Sequence, residues 1–170
     1  MSNGVTNGQE KVLLTGVSGF IGLHCAKQLI ETGFKVRGTV RSHEKQMQVE
    51  HVMTTHNIDA ESLEFTLLDL TTEAGWEAAM VGCDYVMHVA SPFWIANPKN
   101  EAEMMAPAIE GTLRVLRAAQ KAKVKRVILT SSIVSMMSSI RRGVFTADDW
   151  TDVTYPNLST YIKSKTLAER

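Results

Sequence analysis

The stretch Lys11–Gly22, KVLLTGVSGFIG, decides the fold. Its first part, Lys11 to Thr15, is a short apolar run of the kind that makes a buried strand. Gly16, Gly19 and Gly22 follow at G-x-x-G-x-x-G spacing. From Gly19 onward Ile21, Cys25, Leu29 and Ile30 recur at helical intervals, and Gly33 is placed to end that helix. A strand that turns through glycines into a helix presents free N–H groups at the helix amino terminus to an anion. Gly16 permits the tight turn, Gly19 lets a pyrophosphate approach the backbone, and Gly22 lets the helix lie against the sheet. Gly16, Ser18, Gly19, Phe20, Ile21 and Gly22 are therefore the candidates for holding dinucleotide phosphates.

Beyond this loop, strands and helices alternate. Lys35–Val40 (KVRGTV) reads as a second strand, followed by a polar helical stretch through about Asn57. Leu63–Asp69 is a third strand, and Glu73–Val81 a short helix around Trp76. Asp84–Ala90 is a fourth strand, Asn100–Lys123 a long helix and Lys125–Ser131 a fifth strand. A loop is expected from about Ile133 to Leu158, and Ser159 opens a last helix. This period predicts an α/β fold: a doubly wound parallel sheet of the Rossmann type, with right-handed crossovers giving the order 3-2-1-4-5. No repeat or linker interrupts it. Residues 1–10 read as a flexible amino terminus, and 11–170 as one dinucleotide-binding domain.

Composition narrows the class. The chain has 170 residues, room for one real core but not for two full domains. Lysine plus arginine equals aspartate plus glutamate at 18 each, so nothing invites nucleic acid or an anionic membrane. Cys25 and Cys83 lie outside any metal-ligand spacing and read as buried reduced thiols, which suits a reducing compartment. The polar start MSNGVTNGQE carries no apolar signal core, and no apolar run is long enough to span a membrane, so the expected address is the cytoplasm. The histidines are scattered; His51 and His56 lie off a shared helical face and read as exposed. No metal is expected.

The end of the second strand selects the cofactor. An NAD site of this type wants an acid about twenty residues past the loop, for the ribose hydroxyls. RGTVRS, from Arg37 to Ser42, contains no acid and two arginines, and Arg41 stands where the strand should end. A guanidinium there suits a ribose phosphate, so NADP(H) is favoured over NAD(H), with Lys45 a weaker second cation. Asp69 and Leu70 end the third strand, where adenine would lie; Asp69 reads equally as a cap on the following short helix. Val89, Ala90 and Ser91 end the fourth strand beneath the expected path of the dinucleotide.

Tyr161 and Lys165 form Y-x-x-x-K, a spacing that puts phenol and ammonium on one helical face. A tyrosine is a sluggish acid–base at neutral pH, and an adjacent cation favours its phenolate. The same lysine can hold the nicotinamide ribose, while Ser132, just past the fifth strand, can donate a hydrogen bond to a carbonyl as Tyr161 delivers the proton. Phe93 and Trp94 follow the fourth strand and read as cleft residues, whereas Asp148, Asp149 and Trp150 are explained by capping and packing.

Together these segments resemble the extended short-chain dehydrogenase/reductase superfamily, and within it the dihydroflavonol reductase-like branch. The residues that carry the likeness are TGVSGFIG (Thr15 to Gly22), TVR (Thr39 to Arg41), HVASPF (His88 to Phe93), PAIEGT (Pro107 to Thr112), LTSS (Leu129 to Ser132) and YIKSKTLAE (Tyr161 to Glu169). The resemblance implies Ser132, Tyr161 and Lys165 as a catalytic triad, with Ser132 preferred over Ser131. It implies adenosine contacts from Arg41, Asp69 and Leu70, and hydride transfer from NADPH to a carbonyl on an aldehyde, ketone or flavanonol-like molecule. A nucleotide-sugar epimerase, a hydroxysteroid-type dehydrogenase and a non-catalytic dinucleotide-binding fragment are the alternatives. Arg114 stands where relatives often carry asparagine, with no consequence expected. Members of that family are longer, with a carboxy-terminal part closing the substrate pocket. The chain is accordingly expected to be truncated before that part, with an open edge at the fifth strand, marginal stability and weak or no activity alone.

Overall fold

A computed structural model describes residues 10–94, 96–137 and 143–170; of residues 1–10, expected to be flexible, 1–9 lie outside them. The strands are β1 (Lys11–Thr15), β2 (Lys35–Val40), β3 (Leu63–Leu67), β4 (Tyr85–His88) and β5 (Arg126–Leu129). All pairings among them are parallel, in the order β3-β2-β1-β4-β5. The helices are α1 (Phe20–Glu31), α2 (His43–Thr55), α3 (Trp76–Met80), α4 (Ala102–Ala122), α5 (Val134–Met137) and α6 (Thr160–Glu169), with a 3-10 turn at Ala60–Ser62. The doubly wound arrangement follows from the alternation of strand and helix.

Helices cover both faces of the sheet, so β1 is apolar without alternation. Successive side chains point to opposite faces, and the neighbours Leu13 and Leu14 accordingly enter different cores. Leu13 joins Leu68, Trp76, Met80, Val86 and Val115. Leu14 joins Val17, Ala26, Val36, Val40, Val49, Met53 and Leu63. Trp76 is nearly sealed, yet its indole N–H still donates to the Thr72 carbonyl.

Three expectations are corrected. The buried face of α1 is centred on Gly22 and Ala26, with Ile21 largely exposed, because small residues let the helix lie close to the sheet. The third, fourth and fifth strands stop short of their expected ends. At β4 the reason is explicit: His88 is the last residue in register with Thr15 and Leu129, and the next two amides turn to a side chain instead. The expected loop after Ile133 contains α5, started where the Ser132 and Ile133 carbonyls accept from the Ser135 and Met136 amides. Residues 138–142 of that loop lie outside the described residues.

Candidate active site

The carboxyl ends of β1, β2 and β4 converge on the glycine loop. Gly16 has a φ of 71°, a left-handed conformation that favours glycine. A Cβ on Gly16 would sit 3.0 Å from both Cα and Cβ of Ala90, so the loop and the β4 end are already in contact. A Cβ on Gly22 would lie 2.2 Å from the Gly16 carbonyl oxygen, which is why the helix start requires glycine. Two threonines fix the loop. Thr39 Oγ1 accepts from the Gly16 amide at 3.1 Å, and its carbonyl accepts from Val17. Thr15 Oγ1 accepts from the amides of Val89 and Ala90 at 3.1 and 3.0 Å. The amino terminus of α1 has Gly19 as its N-cap, with no side chain bonded to its N–H groups. Ser18 is half-buried and Phe20 is 80% exposed beside this opening.

At the end of β2 the Arg41 side chain is exposed, and its charge helps hold the Asp69 carboxyl below the usual aspartate range. The larger causes are local: Asp69 Oδ1 accepts from the Thr71 hydroxyl and amide at 2.6 and 2.8 Å. That corrects the capping alternative, since α3 begins only at Trp76 with Gly75 as its N-cap. Arg37 is not available to a ligand. It bonds the Ala79 and Val81 carbonyls and pairs with Glu64. Lys45 bonds Gln48 within α2.

Leu70 is held from α4. Gly111 leaves room for it, for a Cβ there would lie 2.8 Å from Leu70 Cβ. Arg114 donates to the Leu70 carbonyl at 2.8 Å and pairs with Glu73, so a residue expected to be inconsequential braces the β3 loop. Its sequence signal was the PAIEGT segment just before it.

On the other side, Ser159 caps α6 by accepting from the Ile162 amide, and α6 packs on α4 and α5. Lys165 is 6% exposed, and Nζ donates to the Thr130 carbonyl at 2.8 Å. Burial lowers its pKa, with the nearby Glu169 partly opposing the shift. An ammonium has three donors, so two remain for other partners. The Tyr161 ring meets Phe93 edge to face at 5.2 Å, which joins α6 to the segment after β4. Ser132 lines a hollow of about 460 Å³ with Ser131, Ile133, Met136, Asp149, Trp150 and others. Ser131 is engaged by the Glu169 carboxylate. Tyr161 and Lys165 do not line that hollow, and among the described residues no hydrogen bond joins Ser132 to either.

Asp149 and Trp150 thus border the space beside Ser132, a placement that their positions in a long loop did not reveal. His88 was also overlooked. It is 1% exposed, and its two ring nitrogens face Thr15 and Thr112. Cys83 is buried and Cys25 only partly so; burial raises both thiol pKa values. Among the described residues no three His, Cys, Asp or Glu side chains are grouped to hold a metal, and no helix is long and apolar enough to cross a membrane.

Comparison with known proteins gives a consistent picture. An anthocyanidin reductase of Vitis vinifera is 36% identical over 96% of this chain, and a bifunctional dihydroflavonol 4-reductase/flavanone 4-reductase of Malus domestica is 35% identical over 95%. Among solved structures, Gre2 of Candida albicans in complex with NADPH superposes with a TM-score of 0.77 at 26% identity, over 94% of this chain and 51% of that one. The chain spans about half the length of these relatives: 50% of the grapevine protein and 48% of the apple protein. The relatives are of the dihydroflavonol reductase-like kind that the six segments together, from TGVSGFIG to YIKSKTLAE, imply. With residues 12–170 matching the model of that family, the chain belongs to the NAD dependent epimerase/dehydratase family.

Proposed function

We propose that this chain is the nucleotide-binding part of an NADPH-dependent carbonyl reductase, in which Ser132, Tyr161 and Lys165 carry the proton chemistry. The carrying observation is the placement of Lys165: a buried ammonium tethered to the Thr130 carbonyl at the β5 end, on the helix that presents Tyr161. Burying an ammonium costs stability, and groups held at such a cost gather at functional sites. The position of Lys165 beside the strand ends suits a hydrogen bond to a ribose hydroxyl.

The residues present fit a dinucleotide. The glycine loop admits no Cβ at Gly22, the start of α1 carries no side-chain cap, and Val89, Ala90 and Ser91 leave a low surface beside Gly16. Gly16, Ser18, Gly19, Phe20, Ile21 and Gly22 would hold the pyrophosphate, and Asp69 and Leu70 would border the adenine. Arg41 would take the ribose phosphate, which favours NADP(H) over NAD(H). The NADPH in the Candida albicans Gre2 complex and the reductase names of the relatives support that reading.

When bound, the reduced nicotinamide supplies a hydride. Ser132 would orient the substrate carbonyl by donating a hydrogen bond, and Ser131, committed to Glu169, would not. Tyr161 would deliver the proton to the developing alkoxide, with Lys165 on the next turn of the same helix. Phe93, 65% exposed against the Tyr161 ring, would form one wall of the substrate space. A small-molecule aldehyde, ketone or flavanonol is the substrate class.

Fluorescence titration with NADPH and NADH, followed by turnover of aldehydes, ketones and a nucleotide sugar by a polypeptide that joins this chain to the carboxy-terminal part its relatives carry, tests this. The chain alone is expected to turn over weakly or not at all. NADPH should bind more tightly than NADH, and Arg41→Ala should erase most of the difference. Tyr161→Phe should lower kcat by about 10²–10⁴-fold with little change in NADPH affinity. Equal affinity for both nucleotides, or a phenylalanine variant as fast as the parent, would refute the assignment. Binding without turnover would leave a dinucleotide-binding module, and turnover of the nucleotide sugar alone an epimerase.

A further inference from the structure

The proton positions around His88 can be deduced from its neighbours. Thr15 Oγ1 accepts the Val89 and Ala90 amides, which occupies both hydroxyl lone pairs. Its one proton must then go to its third partner, His88 Nδ1, 2.7 Å away. Nδ1 is therefore an acceptor and bears no hydrogen. From the opposite side, Thr112 Oγ1 lies 2.7 Å from the Ala108 carbonyl, which can only accept. Thr112 spends its proton there and shows only lone pairs to His88 Nε2 at 3.2 Å. Nε2 must donate. The two ends lead independently to the same neutral tautomer.

A doubly protonated ring would break this scheme, because an Nδ1–H would face the Thr15 proton and force Thr15 to release an amide. The surroundings oppose that charge: the ring is buried, and the cation of Lys165 on α6 acts on it, together pushing its pKa down to about 4. The His88 backbone is committed as well. Its carbonyl accepts from Thr130, whose own carbonyl accepts from Lys165.

We propose that His88 is a positioning residue for the dinucleotide: a neutral Nε2–H imidazole that takes the Thr15 proton, so that Thr15 can hold the Val89 and Ala90 amides and seat Ala90 against Gly16. His88 and Thr112 belong to the HVASPF and PAIEGT segments, and this contact is where those two segments meet. The inference rests on the cofactor reading above, but its proton arrangement is measurable without any nucleotide.

A long-range ¹H–¹⁵N spectrum of the labelled protein should show the Nε2–H neutral ring from about pH 8 to about pH 5. An Nδ1–H ring, or a protonated ring at about pH 6, overturns the proposal. His88→Asn keeps an acceptor near the place of Nδ1, and Thr15→Ser keeps the hydroxyl; His88→Leu and Thr15→Val remove them. Amide exchange should speed up at Val89 and Ala90 in the leucine and valine variants, with NADPH bound about tenfold more weakly. The asparagine and serine variants should stay within about threefold of the parent in NADPH affinity. Protected amides and parental NADPH affinity in the leucine and valine variants would overturn it. If either of these fails to fold, the tautomer of the parent protein still decides. A parent protein that binds no nucleotide would sink the cofactor reading instead, leaving the tautomer and exchange results intact.

Discussion

Where β1 and β4 end, the polar side chains are buried and paired: Thr15 with two amides and His88, and His88 in turn with Thr112 of α4. Beyond β5 the surface is different. Ile128 is 47% exposed, Ile133 62% and Trp150 39%, and the hollow beside Ser132 lies open among them. β1 pairs on both sides and feeds two cores, whereas β5 pairs only with β4 and is one edge of the sheet. Among the described residues, then, the crevice proposed for the nucleotide is centred on a strand paired on both sides, whereas the region next to the proposed substrate adjoins an edge strand. The difference teaches that the two halves of the proposed site draw their precision from different sources. The crevice draws on strand register and satisfied hydrogen bonds, and the catalytic flank on the packing of α6 against α4 and α5.

Core truncations should expose this contrast most strongly. Leu13→Ala removes a fully buried side chain beneath the crevice and should cost about 2–5 kcal/mol in denaturant unfolding. Ile128→Ala, on the exposed edge strand, should stay within about 0.5 kcal/mol. Equal losses at the two sites would mean that β5 is as well packed as β1.

Acid should find the crevice next. The folded pKa of His88 lies near 4, against an ordinary value of 6.5, so the unfolded chain binds more protons between those values. Stability therefore rises with pH across that window: the contribution is complete above about pH 6.5 and lost as pH falls through about 4. Its size is about 3 kcal/mol, and His88→Asn should remove that part of the pH dependence. A parent protein whose stability is flat from pH 7 to 4 would contradict the buried neutral ring.

Arg114 offers the mildest test. Arg114→Met should cost about 1 kcal/mol through the orphaned Leu70 carbonyl. Glu73→Gln, which touches only the exposed half of the pair, should cost under about 0.5 kcal/mol. The reverse ranking would assign Arg114 to the ion pair and leave the β3 loop to other supports.

Much of this was legible before any coordinates. The glycine spacing after KVLLT, the alternation of strand and helix, and the order of five strands are local or topological properties, and they appear where the pattern placed them. Ser159 as the cap of α6 was equally plain, because its hydroxyl serves a backbone amide three residues on. His88 was not legible. A histidine closing a strand of DYVMHVA has no local mark of burial, and its partners lie 73 residues before and 24 residues after it. Arg114 and Asp149 were missed for the same reason, since the partners and spaces that give them meaning come from distant segments. The Asp69 capping reading failed because helix starts blur in short helices, and Thr71 claimed the carboxylate first.

Sequence by itself determined the glycine loop, the succession of strands and helices, and the placing of Tyr161 and Lys165 one helical turn apart, because each depends on residues close along the chain. Tertiary structure alone decided the charge state of His88, the tether of Lys165 to Thr130 and the brace from Arg114 to Leu70. Those depend on which groups meet after burial, where leaving a donor or acceptor unpaired costs more than any local preference can offset.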